Sequence, residues 1–172
     1  PEWEAVETRW NNGEIGSSEC MHLQIALIRA TKNELDETLD NFQIDSGFKD
    51  FVKFCESNNL KITVLSDGVD YFIQRILRRN GLEHLPVVSN KLEATGENSY
   101  ALSSPYANPA CSSLAGVCKC QQLMQQTDKR VFIGDGRSDF CAADKADVIF
   151  AKTSFANYCQ DQSIPYIPYQ TF

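Results

Sequence analysis

The stretch Val131-Phe-Ile-Gly-Asp135-Gly-Arg-Ser-Asp139 decides the fold. It begins with three apolar residues, two of them β-branched, and this pattern predicts a short buried strand. Gly134 then ends the strand. Asp139 opens a segment whose apolar residues recur at helical spacing, so it is predicted to be the N-cap of a helix.

Asp135 and Asp139 are therefore expected at the carboxyl end of a strand, which is where ligands bind in open α/β sheets. Two carboxylates placed there repel each other unless a cation or a proton lies between them, and carboxylate oxygens suit Mg2+. The pair is a candidate magnesium site. A capped turn with two solvated acids explains this segment equally well when it is taken alone, so the rest of the chain has to decide.

Composition limits the classes of partner. The 172 residues suffice for one domain or a compact domain with a small insertion. The net charge of −7 argues against nucleic acids and anionic membrane surfaces as partners. No apolar run approaches the ~18 residues of a membrane span. We expect a monomer or homodimer whose anionic ligand is held by local donors or a metal.

The seven cysteines are an odd number scattered through helical and strand patterns, which indicates reduced thiols in a cytoplasmic protein. Cys111, Cys118 and Cys120 could suggest a zinc site. The pair spacing typical of zinc ligands is absent, however, and His22 and His84 are distant in sequence. Reduced structural thiols are the expectation.

The pattern of the chain changes near residue 44. Residues 1–44 contain three helical segments and no strand, with a capping box predicted at Thr31 to Glu34, and they are expected to form a small helical cap. Residues 45–172 alternate helix and strand, which predicts an α/β core with a doubly wound parallel sheet. Residues 90–117 are expected to form a hairpin or an irregular excursion.

A candidate phosphate cradle follows an earlier strand. Ser66, Asp67 and Gly68 are predicted to form a turn between the strand Ile62–Leu65 and a helix that begins near Val69. A hydroxyl group and backbone N–H groups at a helix N-terminus can bind an anion, and a glycine allows close approach. A simple helix cap is the alternative.

Lys119 is predicted to start the helix that precedes the Val131 strand. Although a lone lysine is more often solvated surface, Ser66, Lys119, Asp135 and Asp139 together supply a phosphate cradle, a cation and a metal site. This is the equipment for phosphoryl transfer, in which positioning and charge neutralisation dominate. The set lacks a nucleophile or base that would attack phosphorus.

The order and spacing of these residues resemble a known superfamily. Ser66 after a strand, then Lys119, then Gly134-Asp135-x-x-x-Asp139 are similar to the second, third and fourth motifs of the haloacid dehalogenase (HAD) superfamily. The closer resemblance is to the phosphoserine-phosphatase-like branch, and within it to methionine-salvage phosphatases of the MtnX type. Further similar stretches are Pro1–Trp3, Val64–Phe72, Cys118-Lys119 and Tyr166–Gln170.

The resemblance implies a Mg2+-dependent phosphatase with a Rossmann-like core and an aspartyl-phosphate intermediate. Ser66 and Lys119 would be the catalytic residues of this chain and would bind phosphate together with Asp67 and Gly68. Asp135 and Asp139 would hold the metal. The implied substrate is a small-metabolite phosphate ester, with 2-hydroxy-3-keto-5-methylthiopentenyl-1-phosphate of methionine salvage first and phosphoserine next.

One motif of that superfamily is absent. The first motif, Asp-x-Asp on the first strand, does not occur in residues 1–172 and should precede Pro1. We expect a chain truncated at its N-terminus, without its first central strand and inactive as it stands, whose full-length form is the enzyme. The alternatives are a non-catalytic phosphate-binding or regulatory module and a zinc-binding module around Cys111 to Cys120.

Overall fold

The computed structural model describes residues 1–172 and confirms the α/β fold class. None of its helices combines the length and apolar character that crossing a membrane requires. In chain order the elements are α1 (Glu2–Asn11), α2 (Ser17–Ala26), α3 (Lys32–Leu39), α4 (Phe48–Ser57), β1 (Val64–Val69), α5 (Asp70–Arg79), β2 (Val87–Ala94), β3 (Tyr100–Ser103), α6 (Lys119–Met124), β4 (Val131–Gly134), a 3-10 helix (Arg137–Ala142), β5 (Val148–Ala151), α7 (Thr153–Asp161) and β6 (Ile167–Pro168).

The N-terminal region contains the three helices that the sequence predicts. The capping box at the start of α3 is present, because the Thr31 N–H donates to Glu34 Oε2 at 2.7 Å and the Glu34 N–H donates to Thr31 Oγ1 at 3.3 Å. Helix α3 ends at Leu39, however. Phe42 follows its end with 58% of its surface exposed.

Two three-stranded sheets form the core. In the first, β1 runs parallel to β2, and β2 and β3 form an antiparallel hairpin in the region predicted to contain one. In the second, β4, β5 and β6 are all parallel. The predicted parallel pairing is therefore confirmed for every neighbouring pair except β2 and β3.

Strands β1 and β4 each pair on one side only. Leu65 of β1 nevertheless packs against the apolar cluster that lies under the second sheet, so the two sheets share part of their core. Val131 of β4 is 56% exposed. Each of these two strands therefore has one edge that could pair with a further strand.

Residues Ser66 to Gly68 do not form the predicted turn. Strand β1 continues through them to Val69, and its register against β2 shifts between Leu65, opposite Val88, and Val69, opposite Asn90. The strand thus bulges instead of ending, because pairing with β2 resumes at Val69. Helix α5 begins after the bulge at Asp70, and no side chain caps it.

The largest apolar cluster lies between the second sheet and its helices. Phe155 of α7 is completely buried at its centre. Its ring meets Phe132 of β4 edge to face, with centroids 5.8 Å apart, and stacks on Phe140 of the 3-10 helix at 6.4 Å. The other buried members are Leu123, Ala142, Ala143, Ile149, Ala151 and Cys159.

Replacing Phe155 by alanine should lower the free energy of unfolding by about 3–5 kcal/mol, because the deletion leaves a cavity between β4, α7 and the 3-10 helix. The matched control is Phe54→Ala, at a side chain 59% exposed on α4, where the change should stay within about 0.5 kcal/mol. Urea unfolding followed by circular dichroism measures both. Equal losses in the two variants would contradict this account of the core.

Candidate functional site

A buried ion pair lies at the carboxyl end of β4. Lys119 is the first residue of α6, and Asp139 is the third residue of the 3-10 helix; their side chains are only 7% and 5% exposed. The Lys119 ammonium donates to Asp139 Oδ1 and, at 2.9 Å, to Ser138 Oγ. Because both side chains are buried, each charge is stabilised by the other instead of by water, and the pair holds the lysine in one position.

Asp139 is not the helix N-cap that the sequence predicts. Gly136 occupies that position, and Asp139 Oδ2 reaches back to accept the backbone N–H groups of Asp135 and Gly136, both at 2.9 Å. The Asp139 carboxylate can approach the end of β4 this closely only because residue 134 is a glycine, since a Cβ there would lie 2.8 Å from Asp139 Oδ2. Both oxygens of the Asp139 carboxylate already have donors.

In Asp135 the backbone makes the hydrogen bonds and the side chain makes none. Its backbone carbonyl accepts hydrogen bonds from Ser154 Oγ and the Phe155 N–H, both at 3.1 Å, and from the Thr153 hydroxyl. Its carboxylate is exposed and has no hydrogen-bond partner. The backbone is thus fixed by α7 while the carboxylate remains free at the sheet edge.

These differences decide how the two aspartates fit a magnesium ion. The Asp135 carboxylate oxygens, which accept no hydrogen bond, suit direct coordination, and Mg2+ usually keeps several waters beside one or two protein carboxylates. Asp139 fits a supporting role, because coordination would compete with its bonds to Lys119 and to the loop backbone.

Tyr169 is a neighbour of this site that sequence reasoning did not single out. Its hydroxyl donates to the Gly134 carbonyl at 3.4 Å. Burial, reinforced by the negative charges of Asp135 and Asp139, raises the pKa of Tyr169 to about 12. The only signal in the sequence was its place within Tyr166–Gln170, one of the stretches that carried the family resemblance.

The bulge of β1 carries the predicted phosphate cradle. Ser66 Oγ accepts the Gly68 N–H at 3.0 Å, which leaves the hydroxyl proton of Ser66 available to a ligand oxygen. Asp67 is used differently. Its carboxylate accepts the Ser17 hydroxyl at 2.6 Å and the Val117 N–H at 3.0 Å, so this side chain is a structural link.

Asn90 of β2 completes that link and was also missed. It is fully buried, donates from Nδ2 to the Asp67 carbonyl at 2.6 Å and accepts the Ser104 hydroxyl at 2.7 Å. A Cβ on Gly116 would lie 2.3 Å from Asn90 Oδ1. The available signal was an asparagine inside a strand, where this residue type is depleted.

The structure brings Lys119, Asp135 and Asp139 together directly. It connects Ser66 to them through its neighbour Asp67 and Val117, which is two residues before Lys119. A surface cavity of about 360 Å3 lies elsewhere, along α3 and α5, and is lined by Lys32, Asp36, Tyr71, Gln74, Arg75, Arg78 and Arg79. It contains none of the candidate residues.

The chain also matches a known protein family. Residues 19–163 match the model of the family described as Putative Phosphatase. The chain belongs to this family. Among named relatives, 2-hydroxy-3-keto-5-methylthiopentenyl-1-phosphate phosphatase from Bacillus cytotoxicus is 33% identical over 138 residues, which cover 77% of this chain and 62% of the relative. The protein of the same name from Brevibacillus brevis is 25% identical, with 100% of this chain and 80% of the relative covered.

Solved structures show the same fold for this phosphatase-family chain. A phosphoserine phosphatase, solved as a phospho-aspartyl intermediate analogue, aligns with a TM-score of 0.72 and 14% identity, covering 99% of this chain and 80% of that one. A HAD family hydrolase from Salmonella enterica serovar Typhi aligns at 0.75 and 20% identity, covering 99% and 59%. These structures confirm the HAD-like fold that the resemblance implied.

Lys119→Met should lower the free energy of unfolding by about 3–5 kcal/mol, because it leaves the buried Asp139 carboxylate without its counter-charge. The double variant Lys119→Met with Asp139→Leu should lose less than Lys119→Met alone, since no unpaired charge then remains. Lys145→Met removes a lysine that pairs with the exposed Asp144 and is the matched control. Urea unfolding measures all three. A double variant weaker than the single one would contradict a compensating pair.

Proposed function

We propose that the protein is a Mg2+-dependent phosphatase that hydrolyses a small-metabolite phosphate monoester through an aspartyl-phosphate. The observation that carries the proposal is the free carboxylate of Asp135, fixed at the carboxyl end of β4 beside the buried Lys119–Asp139 pair. Membership of a phosphatase family supports it. The names of the relatives support 2-hydroxy-3-keto-5-methylthiopentenyl-1-phosphate as the substrate.

In this proposal each candidate residue has a separate role. Ser66 donates its hydroxyl proton to a phosphoryl oxygen, since the oxygen of that hydroxyl is already an acceptor for Gly68. Lys119 supplies the positive charge next to the phosphate, which matters in a protein whose net charge of −7 repels anions. Bound Mg2+ would neutralise developing charge on the phosphoryl group, with Asp135 as its ligand from this chain.

The roles of Asp67 and Asp139 are positional. The Asp67 carboxylate would repel a phosphate, but it ties the Ser66 bulge to Val117 and hence to the segment that begins with Lys119. Asp139 orients Lys119 through one oxygen and the Asp135 loop through the other. Rigid support of this kind is what a reaction dominated by positioning and electrostatics needs.

The nucleophile is the remaining component. Residues 1–172 contain no Asp-x-Asp motif, and we propose that an aspartate on a strand between β1 and β4 supplies it, at the two edges that these strands leave unpaired. Residues 1–44 would act as the cap over the site. Ser17, at the start of α2, contacts Asp67 at the edge of the cradle and supports that role. The seven free thiols favour a reducing, cytoplasmic setting.

The protein expressed from its complete gene should release phosphate from 2-hydroxy-3-keto-5-methylthiopentenyl-1-phosphate when Mg2+ is added and lose that activity with EDTA. Asp135→Asn should reduce kcat by about 10^2–10^3-fold, because it weakens the metal at the point where charge develops. Asp144→Asn is the control, since Asp144 pairs only with Lys145 on the surface. A colorimetric phosphate assay measures these rates.

Two outcomes of that assay would decide against the proposal. The proposed phosphatase activity would be contradicted if the complete protein, with Mg2+ present, released phosphate from neither this ester nor phosphoserine. Phosphate binding without turnover would instead support the non-catalytic module. Equal activity of Asp135→Asn and the unaltered protein would remove Asp135 from the metal site.

A further inference from the structure

Four cysteines that the proposed phosphatase site does not use lie near one another and close in sequence to Lys119 or Asp139. The sulfurs of Cys111, Cys120 and Cys141 all lie within 4.8 Å of one another, although they come from the irregular 104–117 segment, α6 and the 3-10 helix. Cys118 Sγ lies 3.3 Å from Cys120 Sγ. These separations exceed the ~2.05 Å of a disulfide bond, so all four residues are free thiols.

Three of these sulfurs, those of Cys111, Cys120 and Cys141, have the mutual spacing of ligands in a tetrahedral metal site. Cys118 contacts Cys120 and would have to move closer to the other two to become the fourth ligand. A Zn–S bond of about 2.3 Å sets the edge of a regular sulfur tetrahedron at ~3.8 Å. Cys111 Sγ and Cys120 Sγ are 3.8 Å apart. The contact between Cys118 and Cys120 is shorter than such an edge and would have to open slightly. No oxygen or imidazole ligand joins the cluster, and an all-thiolate set selects zinc over magnesium or manganese.

We propose that Cys111, Cys118, Cys120 and Cys141 bind a structural Zn2+ ion. The sequence argued against such a site because its cysteines lack the usual ligand spacing. The fold overrides this argument, because the 3-10 helix places Cys141 next to Cys111 and Cys120, which are distant from it in sequence. Neither histidine of the chain is needed.

Ser113 adds a polar neighbour to the cluster, since its Oγ lies 3.1 Å from Cys111 Sγ. Against the effect of burial, hydrogen bonds with Ser113 and the neighbouring thiols lower the pKa of Cys111 to about 7. Burial raises the pKa of Cys120 and of Cys141. Binding of a metal would therefore have to release protons from these two thiols.

The position of the cluster indicates a structural role for the ion. Cys118 and Cys120 flank Lys119 in the sequence, and Cys141 follows Asp139 by two residues. Zinc bound here would join the start of α6 to the 3-10 helix, and so hold Lys119 and Asp139 in position relative to each other. Structural zinc ions stabilise folds by joining segments in this way.

The first test is the zinc content of the protein expressed from its complete gene, purified in the presence of a thiol reductant and without chelator. Plasma mass spectrometry should find one equivalent of zinc. Cys111→Ser and Cys141→Ser should each lower that content at least tenfold. Cys55→Ser, at a buried thiol of α4 far from the cluster in sequence, is the matched control and should retain zinc.

The second test uses Co2+ alone and does not depend on the stability of any variant. Cobalt added to the metal-free, reduced protein should give the intense sulfur-to-metal charge-transfer absorption of a tetrahedral thiolate site. Asp135→Asn should leave this absorption unchanged, which separates the proposed zinc site from the magnesium site and its phosphate-release assay. Absence of zinc and of the cobalt band in the unaltered reduced protein would overturn the proposal. A Cys118–Cys120 disulfide in freshly isolated protein would overturn it equally.

Discussion

The ion pair of Lys119 and Asp139 is the interaction on which the site depends. Removing two charges from water is costly, and the cost is offset only where each charge has a close partner and its remaining hydrogen-bonding capacity is used. The pairing is close and most of this capacity is used: the lysine donates to a carboxylate and a hydroxyl and keeps one N–H free, and the second carboxylate oxygen has two backbone N–H groups. The pair therefore fixes α6, the 3-10 helix and the loop after β4 relative to one another.

This arrangement separates two carboxylates that are alike in the sequence. Asp139 is buried and fully engaged, while Asp135 is exposed with a free carboxylate and an anchored backbone. The protein thereby keeps one acid as an internal counter-ion and presents the other to solvent. Like charges four residues apart avoid repulsion because Lys119 compensates one of them.

The sequence predicted the order and type of most elements because apolar periodicity and turn residues report local structure directly. It was wrong at Ser66–Gly68 and at Asp139, and both errors have a tertiary cause. Resumed pairing with β2 at Val69 turns a glycine-containing segment into a strand bulge, and Lys119 draws Asp139 inward from the predicted cap position. Asn90 and Tyr169 were missed because their roles depend on contacts between distant segments, which no local pattern encodes.

The hydrogen bonds of Asp67 couple the N-terminal helices mechanically to the lysine segment. One carboxylate joins Ser17 at the start of α2 to Val117, two residues before Lys119. Helix α2 cannot swing away from the sheet without breaking the 2.6 Å bond from Ser17 and leaving an acceptor of Asp67 for water to fill. If a ligand enters by movement of that helix, the hydrogen bonds of Asp67 transmit the movement to the segment that contains Lys119. Access to the site and the position of its positive charge would then change together.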